Sequence, residues 1–277
     1  MSDKGAVFRA LHEQAGAFVI PNPWDVGTAR LLAALGFRAL ATTSAGMAFA
    51  LGLKDGQVAR EAVLEHCRAL VEATPLPVSA DLEKGFGDSP ETAALTVREA
   101  AAVGLAGCSI EDFTGRGEDP IYDFGLAVER VAAAAEAARA LPRDFVLTAR
   151  AENHLRGRPD LDDTIRRLQA FEEAGADVLY APGLPDLATL RTVCGSVTRP
   201  VNALVGSLAP ACGVADLAAA GAKRISIGGA LARLAYGSAI GAAREIMEEG
   251  TFRLLGGAMA HAELERLMAG ERPGRAG

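Results

Sequence analysis

Aromatic residues make up only 5% of this 277-residue chain, with a single tryptophan and three tyrosines. Large rings therefore cannot dominate the interior, and small aliphatic side chains must fill it. Cysteine is equally sparse: Cys67, Cys108, Cys194 and Cys212 form no C-x-x-C pair and no zinc-type spacing. That excludes a disulfide framework and a thiolate metal cluster, and it fits free thiols in a reducing cytosol. No uninterrupted apolar run reaches membrane-spanning length, and the opening Met1-Ser-Asp-Lys-Gly5 has no apolar signal core, so the expectation is a soluble cytoplasmic protein without a membrane partner. Basic clusters are missing too. With a formal net charge of −7, the chain offers no phosphate-tracking stripe for a nucleic acid. Nucleotide loops are also absent, since Gly115-Arg-Gly117 is not the dinucleotide fingerprint and no Gly-rich loop ends in Lys-Ser/Thr.

Half of the residues are hydrophobic, and alanine crowds segments such as residues 131–140, which suits helices packed closely on a parallel sheet. Short β-like runs alternate with amphipathic stretches from end to end. The predicted strands span residues 17–22, 38–44, 77–83, 107–112, 145–152, 177–183, 200–205 and 224–229. Eight strands, each followed by a helix, predict an α/β fold of the (β/α)8 TIM-barrel type in a single domain over residues 1–277. A doubly wound open sheet is the alternative, and the lack of a nucleotide loop weighs against it. Ser89 followed by Pro90 marks a helix start, and Gly36, Gly104, Gly175 and Gly221 mark helix ends. An additional helix near residues 5–14 precedes the first strand and could cap the barrel bottom. A C-terminal helical extension covers residues 251–277. Within it, the helix expected at 258–268 carries Met259, Leu264, Leu267 and Met268, which pack either on a neighbouring subunit or on the same barrel.

In such a barrel the active site lies at the C-terminal ends of the strands. Those positions hold Asn22, Trp24 and Asp25, then Thr43, Ser44, Ala45 and Gly46, then Asp81 and Glu83, and Glu111 with Asp112. Arg150, Glu152, Asn153, Tyr180, Asn202, Gly228 and Gly229 complete the rim. Asp81 and Glu83 stand two apart, so on a strand their side chains leave one face, and Glu111 at the next strand end can converge on them. Three acids at one rim repel each other unless a cation or protons offset them, and hard oxygen ligands suit Mg2+ or Mn2+. Taken singly, each acid is equally a solvated strand-end charge. Arg150 emerges from an apolar strand and needs an anion, either a substrate group or a wall acid such as Glu111 or Glu152. The small-residue turn Thr43-Ser-Ala-Gly46 offers backbone N–H groups to a carboxylate or phosphoryl group. Trp24 either lines the pocket or packs. His154 and Tyr180 are candidate proton donors or plain wall residues.

Read together, Asn22-Pro-Trp-Asp-Val-Gly-Thr-Ala-Arg30, Thr43-Ser-Ala-Gly46, Leu51-Gly-Leu-Lys-Asp55, Asp81-Leu-Glu-Lys-Gly-Phe-Gly87, Ser109-Ile-Glu-Asp112 and Thr148-Ala-Arg150 resemble the isocitrate lyase/phosphoenolpyruvate mutase superfamily. The resemblance implies a Mg2+-dependent lyase that cleaves a C–C bond of a small 2-oxo or 2-hydroxy di- or tricarboxylate, by retro-aldol cleavage or decarboxylation through a metal-stabilised enolate. It assigns Asp81 to the position nearest the metal, Glu83 and Glu111 to the acids that hold its waters, and Asp55 to a further acid of that shell. Ser44, Ala45 and Gly46 match the substrate-binding turn, Arg150 the arginine that meets developing charge, and Asn202 the distal end of the substrate. Family likeness also implies a homo-oligomer, a tetramer. One segment departs from the pattern. Where true isocitrate lyases carry a Lys-Arg-Cys-Gly-His loop, this chain reads Phe113-Thr-Gly-Arg-Gly-Glu-Asp-Pro-Ile-Tyr-Asp-Phe124. The loop cysteine is gone, as is the loop lysine of the phosphonate-cleaving branch, which leaves Arg116, Glu118 or Tyr122 to supply any loop chemistry. P–C bond chemistry on a phosphonopyruvate-like substrate is the second reading, and an oxo-acid-binding barrel with little turnover is the third.

Overall fold

A computed structural model describes residues 3–208 and 212–271, so residues 272–277 of the expected C-terminal extension and the first two residues of the expected domain lie outside the described residues. Helix α1 (Lys4–Glu13) precedes β1 (Phe18–Ile20), α2 (Val26–Ala34) and β2 (Leu40–Ala41). A short α3 (Ser44–Ala50) and α4 (Arg60–Ala73) lead to β3 (Val78–Asp81), α5 (Pro90–Ala102), β4 (Gly107–Glu111), α6 (Phe124–Arg139) and β5 (Val146–Arg150). The repeat continues through α7 (Leu161–Ala174), β6 (Val178–Tyr180), α8 (Leu187–Gly195), β7 (Val201–Leu204), α9 (Val214–Ala219) and β8 (Arg224–Ser226). Helices α10 (Ala230–Glu249) and α11 (His261–Met268) follow.

The strands run parallel in the order β1-β8-β7-β6-β5-β4-β3-β2. Between β1 and β2 the ladder reduces to the Ala41 N–H donating to the Pro21 carbonyl at 3.0 Å, so the cylinder is nearly closed, as the alternation of elements predicts. Strand ends are shorter than the expected runs, most clearly at 38–44, where only Leu40–Ala41 is strand. There Thr43 leaves the sheet to cap α3, its Oγ1 accepting from the Gly46 N–H at 3.3 Å. The expected open turn at Ser44 to Gly46 is thus the first turn of a helix.

The punctuation acts as expected. Ser89 caps α5 with Pro90 in the first turn, and Gly36, Gly104, Gly175 and Gly221 take φ values of 91°, 93°, 106° and 103°, which only glycine adopts without strain. Alanines let the helices sit close to one another and to the sheet: Ala93, Ala100 and Ala134 are wholly buried in one core with Val97, Leu105 and Cys108. At the N-terminal end of the strands, Phe8 and Leu11 of α1 pack against Phe18, Val146 and Val178 and plug the barrel bottom. Gly107 makes room for this plug, because a Cβ there would stand 3.1 Å from the Phe8 ring and 2.4 Å from the Val146 carbonyl oxygen.

His12 belongs to the same plug. Its Nδ1 lies 2.9 Å from the Phe8 carbonyl oxygen and its ring stands edge-on to Phe8 and Phe18. Burial, helped by Arg224, Lys223 and Arg9, depresses its pKa from 6.5 to about 3. The unfolded chain therefore takes up a proton that the folded chain refuses. Stability contributed by this group is fully present above about pH 6.5 and is lost as pH falls towards about 3, at up to about 1.4 kcal/mol per pH unit. Urea unfolding at a series of pH values should show this slope, and His12→Phe should flatten it. An unchanged slope in that variant would assign the acid sensitivity elsewhere.

Beyond the barrel, α10 buries only Ala232 and Glu245, while Leu234 and Met247 are 67% and 84% exposed. Glu245 fastens the turn that follows, accepting from the Arg253 and Leu254 N–H groups at 2.8 Å. Helix α11 packs back on its own barrel: Leu267 is buried, and the Met268 Cε lies 3.3 Å from where a Cβ on Gly27 of α2 would stand. Met259 and Leu264 stay exposed, so only part of the apolar face of the extension is used within the chain.

Candidate active site

At the C-terminal ends of the strands lies a cavity of about 870 Å3. Its walls include Ser44, Asp81, Glu83, Glu111, Arg150, Tyr180 and Asn202. A second groove of about 820 Å3, around Asp144, Glu173 and Arg199, carries none of the strand-end acids.

Arg150 organises the acid side of the cavity. From the end of β5 its Nη1 reaches Asp81 Oδ1 at 2.9 Å, its Nη2 reaches Glu111 Oε2 at 3.1 Å, and its Nε and Nη2 meet Glu152 Oε1 at 3.0 and 2.8 Å. Parallel register makes this possible, since Glu111 of β4 stands opposite Arg150 of β5. Burial alone would depress the guanidinium, but Glu111, Glu152 and Asp81 outweigh it and raise its pKa well above the ordinary value. One cation nevertheless serves several acids. Burial pushes the Glu111 carboxyl well above the carboxylate range, with Glu152 and Asp81 reinforcing the shift against Arg150. Burial and the charges of Asp81 and Asp55 likewise raise Glu83 to about 7. Around Arg150 the acids Asp81, Glu83, Glu111 and Glu152 thus outnumber the two nearby guanidiniums, Arg150 and Arg156, the latter reaching Glu152 at 3.1 Å and Glu111 at 3.8 Å.

The turn carrying Glu83 is strained, with φ 51° at Glu83 and φ 61° at Phe86. It is held from behind by Arg130 of α6, a buried guanidinium that donates to the carbonyls of Gly87 at 2.8 Å, Ser89 at 3.3 Å and Lys84. Arg130 was missed by sequence reasoning, although a lone arginine on the buried face of an alanine-rich helix is a usable signal.

Other expected site residues fall into three groups. Ser44 donates to Asp81 Oδ2 at 3.1 Å, and Ala45, Tyr180 and Asn202 line the cavity. Asp55 stands exposed at its rim. Gly46 and Trp24 do not line it. The Gly46 N–H is taken by Thr43, and a Cβ on Gly46 would stand 2.8 Å from the Trp24 Cβ, so these two residues pack together beneath the rim. Trp24 is fixed there because its N–H donates to Thr28 Oγ1 at 3.2 Å in the capping turn of α2. His154 is also off the wall, whereas Arg156, Arg224 and Ser226, which sequence reasoning passed over, are on it. The segment from Phe113 to Ile121 folds into a small flap, with the Thr114 N–H on the Pro120 carbonyl and the Tyr122 N–H on the Asp112 carbonyl, both at 2.8 Å. Its Tyr122 hydroxyl is engaged by Asp88, and Arg116 reaches the same carboxylate at 3.1 Å.

Among the described residues, no group of three Asp, Glu, His or Cys side chains converges closely enough to enclose a metal ion. Asp81, Glu83 and Glu111 spaced around open volume suit instead a cation that keeps most of its water and takes one or two carboxylates, as Mg2+ does.

A nearly closed parallel barrel with a cluster of acids at its C-terminal rim defines an α/β-barrel enzyme. The family model for phosphoenolpyruvate phosphomutase matches residues 8–247, and the chain belongs to that family, within the phosphoenolpyruvate mutase/isocitrate lyase superfamily. It is 33% identical over 222 residues to an uncharacterized protein of Mycobacterium tuberculosis, covering 80% of this chain and 81% of the relative. Identity to the 2-methylisocitrate lyase of Escherichia coli is 31% over 207 residues, covering 72% and 69% of the two chains. A Burkholderia cenocepacia protein, provisionally described as a lyase/mutase, has a solved structure that superposes with TM-score 0.93 at 55% identity over 96% of this chain and 95% of that one.

Proposed function

We propose that the protein is a Mg2+-dependent lyase that cleaves a C–C bond of a small 2-oxo or 2-hydroxy acid. The observation that carries this reading is the excess of carboxylates around Arg150, in which Asp81, Glu83 and Glu111 face one cavity. Asp81 would hold the cation and Glu83 and Glu111 its waters, with Asp55 as the outermost acid. When bound, the cation polarises the substrate carbonyl and stabilises negative charge as the bond breaks. Arg150 adds a fixed positive charge beside that oxygen, already oriented by three acids before substrate arrives. Ser44 and Ala45 bound the carboxylate end. Tyr180 stands on the cavity wall as the proton donor in place of the missing loop cysteine; burial raises its phenol to about 12, a weak acid that gives up its proton only to a strongly basic carbon.

The direct test is incubation of the Mg2+-loaded protein with isocitrate, 2-methylisocitrate, oxaloacetate, citramalate and phosphonopyruvate, each followed by NMR with and without EDTA. Consumption of a C–C substrate, abolished by EDTA, is expected. Turnover of phosphonopyruvate alone would move the reading to P–C chemistry, and saturable binding without product would make the protein an oxo-acid binder.

The extension and α10 belong to the same proposal, as the surface covered by a second copy of this chain in a cytoplasmic homo-oligomer. Leu234, Ile240, Met247, Phe252 and Leu254 expose apolar area along α10 and the turn that follows, too much to leave in water on one helix. Light scattering should return a multiple of the single-chain mass, and Leu234→Glu with Met247→Glu should reduce it. A monomeric mass for the unmodified protein would overturn this part. Among the described residues, no helix is long and apolar enough to cross a membrane.

A further inference from the structure

The flap rests on an arginine that also belongs to the acid cluster. Phe113, two residues beyond β4, roots the flap through its bridge to Ile121 and lines the cavity. The Arg156 guanidinium carbon stands 3.6 Å from the centre of the Phe113 ring, so the face of the cation is covered by the ring. Its edge serves other partners: Nε donates to Glu152 Oε2 at 3.1 Å, and Nη2 lies 3.8 Å from Glu111 Oε1. A guanidinium is a rigid plane, so whatever tilts its face against the ring also tilts its edge against the carboxylate. An ammonium has no such plane and could not tie the two together.

Glu152 carries the tilt inward. It is wholly buried, and its two oxygens are divided between two cations: Oε1 accepts from Arg150 Nε and Nη2, and Oε2 accepts from Arg156 Nε. Among the described residues no other group donates to this carboxylate. Its main chain is pinned, with the N–H on Asp112 Oδ1 at 2.8 Å and the carbonyl accepting from the Arg156 N–H at 3.0 Å. Only the carboxylate can turn, and the two guanidiniums it bridges decide its angle. Losing a charged donor is costly for a buried acid, so Glu152 follows a shift of Arg156 rather than part from it. Arg150 then passes that shift to its contacts with Asp81 and Glu111. Phe113, Arg156, Glu152 and Arg150 are thus linked by direct contacts from the flap to the centre of the site.

We propose that Arg156 is a positioning residue, which transmits the position of the flap through Glu152 to the fork of Arg150. This role rests on the reading of Arg150 as the charge beside the substrate oxygen, and adds what aims it. With Phe113 seated on Arg156, Glu152 is held at both oxygens and Arg150 points into the cavity at a fixed angle. With the ring lifted, Arg156 is free to turn towards water, and Glu152 is left with Arg150 as its one firm partner. The seated and lifted rings are the two arrangements that such coupling requires.

The Arg150 Nε–H resonance of the 15N-labelled, ligand-free protein, identified by its loss in Arg150→Lys, tests the link directly. It should shift in Arg156→Met and, in the same direction, in Phe113→Leu, which leaves every charge in place. An unmoved resonance in Phe113→Leu overturns the relay, and that variant decides alone if Arg156→Met does not fold. Kinetics give the second readout, on whichever substrate the unmodified Mg2+-loaded protein consumes. Arg156→Met should lower kcat by about 10- to 100-fold, as a misaimed group does, with KM within about twofold. Arg156→Lys should recover only part of the loss. Adding Phe113→Leu to Arg156→Met should cost nothing more, because both act on one path, and fully additive losses would refute it. An intact kcat with a lowered Tm would make Arg156 structural. Should no substrate be consumed, the lyase reading fails while the resonance still decides the relay; turnover with an unmoved resonance keeps that reading and sinks the relay.

Discussion

Replacing Asp81 with alanine should abolish metal-dependent turnover, by about 1000-fold or more, while the protein stays folded. Among the acids that Arg150 holds, Asp81 is the one whose loss the structure tolerates best, although the Glu83 N–H gives up its 3.3 Å bond to Asp81 Oδ1. Its side chain is 21% exposed, and Arg150 keeps Glu111 and Glu152 when it goes. Removing it leaves no orphaned cation, and the Ser44 hydroxyl it accepts from faces the cavity, where water can replace it. Circular dichroism should match the unmodified protein, and Mn2+ binding followed by electron paramagnetic resonance should be lost along with turnover. Full activity in Asp81→Ala would place the metal elsewhere.

Arg150 separates catalysis from stability in the opposite way. Arg150→Lys retains charge but loses the planar fork that meets Asp81, Glu111 and Glu152 at once. Turnover should fall by about 100- to 1000-fold, the usual effect of displacing an oriented charge from a developing oxyanion, with a much smaller change in Tm. Arg150→Met should be far more damaging to the fold, because it leaves the buried Glu111 and Glu152 with only the half-buried Arg156, and breaking a buried pair costs about 3–5 kcal/mol. If Lys restores activity fully while Tm drops, Arg150 only shapes the wall.

What could be read in the chain follows from how local each signal is. Helix stops at Gly36, Gly104, Gly175 and Gly221 depend on a single residue's φ, and strand runs depend on neighbours in sequence, so both were legible. Once a barrel was expected, its geometry assigned Asp81, Glu111 and Arg150 to one rim. The residues that were missed act across sequence distance. Arg130 reaches carbonyls more than forty residues earlier, and Arg224 meets Thr148 from 76 residues away. Arg224 also sits at the start of its strand, where an arginine reads as an edge charge rather than an interior one. Trp24 and Gly46 went astray for a related reason: the strand-end rule placed them at the rim, but the caps of α2 and α3 turned the chain before it reached the cavity.

The single hydrogen bond between Ala41 and Pro21 gives the cylinder a seam. Around the rest of the circumference, ladders lace each strand to the next, and any widening of the mouth there breaks several bonds at once. Along the seam it breaks one backbone bond and the Asn22 Nδ2 donation to the Thr42 carbonyl at 3.0 Å. Helix α2 lies between the two strands in sequence, and α11 presses on α2 through Met268, so the end of the chain acts as a strap across the place where the barrel parts most easily. The cavity residues Ser44 and Ala45 follow immediately after β2, on one lip of that seam. Ser44 also donates to Asp81 at 3.1 Å, so any flexing of the lip would reach the acids around Arg150 through that one bond.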